Sequence, residues 1–342
     1  MNVIYLIGNG FDLSLGLPTA YSDFYKYYLE QSSKGATIKD LKNDIQENIV
    51  NWADLEKTLG EHTINLHTRE DMDTVHKDLA DNLIHYVHNV EKHYNGNDSQ
   101  SVEINKHLIY PELHLLPTDE KQISRFKSKW ANQTWNIDII SFNYTSVLER
   151  LIGFKTQNKS LGTHNQNGGV SLRNVEHIHG DKRSNMALGV NDASQFLNED
   201  FRNDELLRYK YIKPNLNAIR RTGHDEACQE LIRNANLICV YGLSLGLTDL
   251  RWWQYIGERM KNNYTLLVIF FYDPKFNLSE IDDATLYYEE GEIKKMFLGR
   301  TSLPKNDMND IKQKIFVRIN SRMFKIDNAK FRYNSEWNNP FA

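Results

Sequence analysis

The chain has 342 residues, 40% hydrophobic and 25% charged, with a formal net charge of −4. That is the composition of a soluble globular protein with room for one large domain or two smaller ones. An acidic balance argues against a dedicated nucleic-acid binder, a longest apolar run of seven residues argues against a membrane span, and two cysteines exclude a four-cysteine zinc site.

Residues 3–7 read as a strand, and the segment before it lacks the basic region and long apolar stretch of a signal peptide. The reducing cytoplasm is the expected setting. Further apolar, branched runs predict strands at 137–142, 175–178, 237–241, 266–272 and 315–319. Several are nearly continuous in hydrophobicity, as in strands buried on both faces of a parallel sheet. Polar segments with helical spacing lie between them, so the expected class is α/β with a parallel sheet.

Between the first two strands, Leu41, Ile45, Ile49, Trp52, Leu55 and Leu59 recur at three- and four-residue steps. Val75, Leu79, Leu83, Tyr86, Val87 and Val90 do the same. This stretch is too long for one crossover helix. Residues 31–129 read as a large helical insertion, a lid or partner surface, on a core of residues 1–30 and 130–342. Residues 193–234 read as a second helical stretch. Residues 94–101, containing Asn95-Gly96-Asn97-Asp98-Ser99, are the best loop candidate.

Four segments carry candidate chemistry, each at the end of an apolar run. Gly8-Asn9-Gly10-Phe11-Asp12 offers a tight turn whose backbone N–H groups can approach a phosphate, although the third glycine of the dinucleotide fingerprint is missing. An ordinary strand-to-helix turn is the alternative. Downstream, Thr19 reads as a helix N-cap and Asp23 as a first-turn carboxylate. Asn143 can hold a ribose hydroxyl, orient water, or simply open the next helix. His179, followed by Gly180-Asp181, can act as general base or bond a sugar hydroxyl, while His177 reads as structural.

The fourth segment is Gly242-Leu243-Ser244-Leu245-Gly246-Leu247-Thr248-Asp249. Ser244 can donate to a phosphate, and Asp249 can accept from ribose hydroxyls or sit in a first helical turn. Trp252 and Trp253 read as core anchors. Glu56 reads as part of a solvated helix face, with reach into the pocket as the alternative. Lys210, Lys213, Arg220 and Arg221 are the best candidates for a basic patch. Together these exits suggest one composite pocket.

Taken together, Ile7 to Asp12, Gly16-Leu17-Pro18-Thr19 with Tyr21 and Asp23-Phe24, Trp52 to Glu56, Phe142 to Thr145, Ile178-His179-Gly180 and Gly242 to Asp249 resemble the AbiH family of phage abortive-infection proteins. The resemblance spans roughly residues 3–253. More distantly, the pattern is similar to sirtuin-like NAD-binding domains, which implies a Rossmann-like core. By position it implies the first turn at Gly8 and Gly10, the catalytic asparagine and histidine at Asn143 and His179, and the late turn at Gly242 and Ser244. Thr145 stands where many sirtuins have Asp, on the ribose side.

The resemblance implies a phage-defence effector that binds NAD and hydrolyses it at the nicotinamide–ribose bond. The alternative is a non-catalytic nucleotide-binding sensor. No metal or additional cofactor is expected, with NAD as substrate or ligand. The zinc module of protein deacylases cannot form with two cysteines. A phage-derived trigger and self-association remain open as partnerships.

Overall fold

A computed structural model of the chain describes residues 1–94, 98–155, 157–164, 168–180, 186–221, 223–278 and 280–325. Seven strands form one sheet: β1 (Asn2–Ile7), β2 (Trp135–Ser141), β3 (Lys159–Thr163), β4 (Gly169–His177), β5 (Leu237–Tyr241), β6 (Leu266–Phe271) and β7 (Ile315–Ile319). Their order is β3-β4-β2-β1-β5-β6-β7. Every neighbouring pair is parallel except β3 with β4. The chain is an α/β protein, as its strand composition predicts.

The continuous apolar runs are explained by cover on both faces. From β1, Val3, Tyr5 and Ile7 enter one core, while Ile4 and Leu6 enter the other. Successive strand residues point to opposite faces, so a strand covered on both sides needs no polar alternation. From β1 the chain works outward through β2 to β4, then returns to β5 on the other flank of β1. The sheet therefore changes winding direction between β1 and β5.

Seven helices separate β1 from β2: α1 (Gly10–Ser14), α2 (Tyr21–Glu30), α3 (Ala36–Glu47), α4 (Leu55–His62), α5 (Arg69–His93), α6 (Asp98–Ile109) and α7 (Pro117–Lys127). The expected stripes are buried and join the same core as Tyr5, Ile7, Ile137 and Ile139. Ile49 departs from its stripe at 41% exposure, because α3 ends at Glu47 and the helical period ends with it. A Thr68–Asp71 capping box starts α5. After β2 come α8 (Val147–Ile152), α9 (Glu199–Asn203), α10 (Glu205–Tyr211), α11 (Lys213–Arg220), α12 (His224–Arg233), α13 (Leu250–Met260), α14 (Asp283–Arg300) and α15 (Lys305–Lys312). Among the described residues no helix is long and apolar enough to cross a membrane.

Several expectations are corrected. Thr19 does not cap α2: Ala20 holds that position without a side-chain bond, and the Thr19 carbonyl instead accepts from Asn9 Nδ2 at 2.7 Å. The expected loop at 94–101 already contains the start of α6 at Asp98, while Asn95, Gly96 and Asn97 lie outside the described residues. The edge strand β3 escapes sequence reading because only one of its five residues is buried. β4 starts at Gly169 instead of Val175, since its first half alternates between exposed and buried positions.

A buried ion pair within the helical segment sits against the start of β2. Lys127, at the end of α7, donates to both Glu112 carboxylate oxygens at 2.7 Å and to the Ile109 carbonyl at 2.7 Å. Its ammonium also stands 4.6 Å from the Trp135 ring centroid, at the first residue of β2. Burial lowers the Lys127 pKa, opposed by Glu112. Lys127→Ala strands a carboxylate and should cost about 3–5 kcal/mol in urea unfolding. The volume-matched pair Lys127→Met with Glu112→Leu should recover most of that loss, and a single-variant loss under about 1 kcal/mol would show the ion pair to be dispensable.

Candidate functional site

β4, β2, β1 and β5 are adjacent and parallel, so their carboxyl ends open on one edge of the sheet. The four motif segments therefore meet there. Gly8 N–H donates to the Tyr241 carbonyl at 2.9 Å, and Gly10 N–H donates to the Gly242 carbonyl at 3.0 Å. A Cβ on Gly10 would lie 2.4 Å from Gly242 Cα. Gly242 has φ +70°, and its own Cβ would meet Gly10 Cα at 2.8 Å. These glycines are required because two backbones touch. The amides of Gly8 and Gly10 are engaged across that contact.

The rest of the first turn divides into support and site. Phe11 is fully buried edge-on to Phe324, so it packs the turn from beneath. Asp12 is 1% exposed, and its Oδ2 accepts from Thr145 Oγ1 at 2.6 Å, joining the exits of β1 and β2. Its Oδ1 has no hydrogen-bond partner among the described residues. Burial pushes the Asp12 carboxyl up to about 7, with Glu91 and Glu149 adding and Thr145 and His177 opposing.

Asn143 is buried, and its Oδ1 also lacks a partner among the described residues. Its backbone is fixed from both sides: its N–H donates to Ser141 Oγ at 3.3 Å, and His177 Nδ1 donates to its carbonyl at 3.0 Å. His177 Nε2 faces Glu149 on α8, so His177 is a structural clamp as expected. His179 is 7% exposed between the rings of Phe142 and Tyr144, with centroids at 5.7 and 6.1 Å, and its Nδ1 is unpartnered. Burial, Lys213 and His177 hold its pKa well below the usual imidazole range. These effects favour the neutral imidazole. The following Asp181 lies outside the described residues.

Glu56 is not on a solvated face. It is 7% exposed, its Oε1 accepts from Tyr144 Oη at 3.0 Å, and its Oε2 accepts from Lys213 Nζ at 2.6 Å. Of the four basic-patch candidates, Lys213 is 2% exposed and Lys210 pairs with Asp73, so these two do not form a free cationic surface. Asp249 is half-buried and pushed up to about 7 by burial, with Lys213 opposing and Glu56 and Asp54 adding. A small cavity of about 10 Å³, room for roughly one water, is lined by His179, Lys213, Asn191, Arg251 and Trp252.

The late turn is held by Leu245, buried at φ +55°, and by Trp253 Nε1 donating to the Gly246 carbonyl at 2.9 Å. Ser244 is exposed on this turn and stands apart from the buried group. Tyr144 and Lys213 are the residues that sequence reasoning missed as site members. Tyr144 was legible as the neighbour of Asn143. Lys213 carries no such signal, because a lysine at the start of a helix reads as solvated until its partner is known.

The glycine contact makes a direct expectation. Gly10→Ala should destabilise the fold by about 1–3 kcal/mol through overpacking. Gly291→Ala, on α14 with nothing within 4 Å of the added Cβ, should be neutral or stabilising by about 0.5–1 kcal/mol. Equal thermal shifts for the two variants would refute the close-approach account.

No curated protein matches the chain. A family model described as "Bacteriophage abortive infection AbiH" matches residues 4–271. That span runs from within β1 to the end of β6 and includes the helices between β1 and β2 and all four strand exits. The chain belongs to the bacteriophage abortive infection AbiH family.

Proposed function

We propose that this AbiH-family protein is a phage-defence effector that binds NAD⁺ at the shared strand exits and hydrolyses its nicotinamide–ribose bond. One observation carries the reading. Among the described residues, Asp12 Oδ1, Asn143 Oδ1 and His179 Nδ1 are buried without partners at the exits of three neighbouring strands. Buried polar atoms are almost always satisfied, so a cluster of exceptions is suited to a ligand. The strand order supports a Rossmann-like core: with β3 set aside, it is the order of dinucleotide-binding sheets, whose ligands lie at the change of winding direction. The sirtuin-like assignment of Asn143 and His179 belongs to this same reading.

In this mechanism the C1′–N bond breaks and its electron pair leaves with nicotinamide, which becomes neutral. The ribose passes through an oxocarbenium-like state, and water adds at C1′. Asn143 Oδ1 orients that water or the ribose, and neutral His179 accepts the water proton through Nδ1. Asp249, when ionised, accepts from ribose hydroxyls, with Asp12 and Thr145 lining the ribose side. The pyridinium is already a cationic leaving group, so no metal or further cofactor is required. The turn from Gly8 to Asp12 and the turn at Gly242 form the floor beneath the diphosphate, with Asn9 and Ser244 at its edges. Residues 31–129 serve as the lid over residues 1–30 and 130–342.

A second reading is a sensor that binds nucleotide and releases no product; the cavity of about 10 Å³ beside His179 holds no nucleotide until the site opens, in either reading. In the catalytic reading, a phage-derived trigger opens the same closed site. NAD⁺ loss and nicotinamide release, measured with purified protein and in phage-infected cells, separate the two. Asn143→Ala and His179→Ala should each reduce turnover by roughly 10²–10⁴-fold. Binding without product would favour the sensor, and full activity in both variants would reject the site. The apparent kcat/KM should rise as pH increases through about 7, where Asp12 and Asp249 both ionise, and Asp249→Asn should remove the Asp249 share of that limb.

A further inference from the structure

We propose that Glu56, carried into the strand exits by the helical insertion, is a positioning residue for the hydrolysis, holding Tyr144 and Lys213 on either side of His179. This inference rests on the reading of the site given above. Glu56 is brought in rigidly. Its helix α4 is N-capped by Asp54, which accepts from Lys57 N–H at 3.1 Å. A Cβ on Gly60 would lie 2.6 Å from the Gln195 carbonyl oxygen and 2.8 Å from Val190 Cγ1. Leu197 N–H also donates to the Gly60 carbonyl at 3.2 Å. α4 therefore docks, without room for a methyl group, on the segment that leads into Lys213.

The other end is fixed as well, since Lys213 N–H donates to the Val190 carbonyl at 2.8 Å. Both partners of the Glu56–Lys213 contact thus hang from backbone that cannot drift. A buried ion pair is weak evidence of stabilisation, so a role in the site is the better account of this one. The second observation is His179: it is more than nine-tenths buried, its Nδ1 has no partner among the described residues, and it lines the same cavity as Lys213. Charge points the same way. Asp54, Glu56 and Asp249 act on this region with Lys213 opposing them, while Arg251 on the cavity wall is matched by Asp225. Excess negative charge suits a ribose carbon that becomes positive as nicotinamide leaves.

The experiment compares wild type, Glu56→Gln, and Glu56→Gln with Lys213→Met. NAD⁺ hydrolysis is followed across pH, with thermal melting as the check on folding. Glutamine keeps an oxygen for Tyr144 and removes the charge. In Glu56→Gln, kcat should fall roughly ten-fold or more while KM stays within about three-fold. The acid limb of kcat/KM should move to lower pH, because Asp249 loses one neighbouring negative charge while Asp54, Lys213, Tyr21 and Tyr144 still face it. The double variant removes the stranded ammonium, so it should melt near wild type and remain slow. A folded Glu56→Gln protein with unchanged kcat and pH profile overturns this inference alone, provided His179→Ala is inactive. A wild type that does not hydrolyse NAD⁺ overturns it together with the reading it rests on.

Discussion

The contact between Gly10 and Gly242 is the constraint on which the site depends. β1 and β5 are neighbours, but beyond them the chain departs toward opposite flanks of the sheet. Two turns must leave one small patch of edge, and they do so with backbone against backbone, each glycine lacking the atom that would separate them. The bonds from Gly8 and Gly10 to the β5 side lock this arrangement. Moving either turn would shift Asp12 and, through it, Thr145 on the β2 exit. A packing requirement two residues long thus sets the spacing of groups drawn from residues 8 to 249.

Around this contact the protein tolerates electrostatic costs that an ordinary core avoids. Asp12, buried beside Glu91 and Glu149, is held near neutrality in its titration, and Asp249 likewise. His179 is kept unprotonated in the same region. Leaving polar atoms unpaired in a dry interior is unfavourable by about 1–3 kcal/mol each. Such departures from good folding practice concentrate where a chain must interact with something other than itself. The Lys127–Glu112 pair is the contrast: every charge there is matched, and the pair only fastens an element.

Local chemistry explains which features were legible in the sequence. Strands covered on both faces display themselves as unbroken apolar runs, so six of the seven strands, the α/β class and the meeting of the four exits could be read directly. β3 could not, because an edge strand with one buried residue leaves no hydrophobic trace. Thr19 looked like a cap because its type favours one, yet tertiary structure used its carbonyl to hold Asn9. The glycines were rightly singled out, but a neighbouring turn accounts for them without a phosphate. Glu56 reads as solvated and Lys213 as part of a surface basic patch, because a lone charge at helical spacing usually faces water. Their burial is created by a partner 157 residues away, which no local pattern contains.

That long-range pair changes what the insertion is for. A lid that merely covered a pocket would contribute apolar surface, and α4 does so through Leu55 and Leu59. It also contributes a charge, placed between the tyrosine that follows Asn143 and the lysine beside His179. Any displacement of α4 would have to separate Glu56 from Lys213 and leave two buried charges unmatched, which is strongly unfavourable. If the insertion acts as the proposed lid, closure and assembly of the site are one event. On this reading, a factor that loosens the insertion alters the charge at the strand exits at the same moment that it opens them.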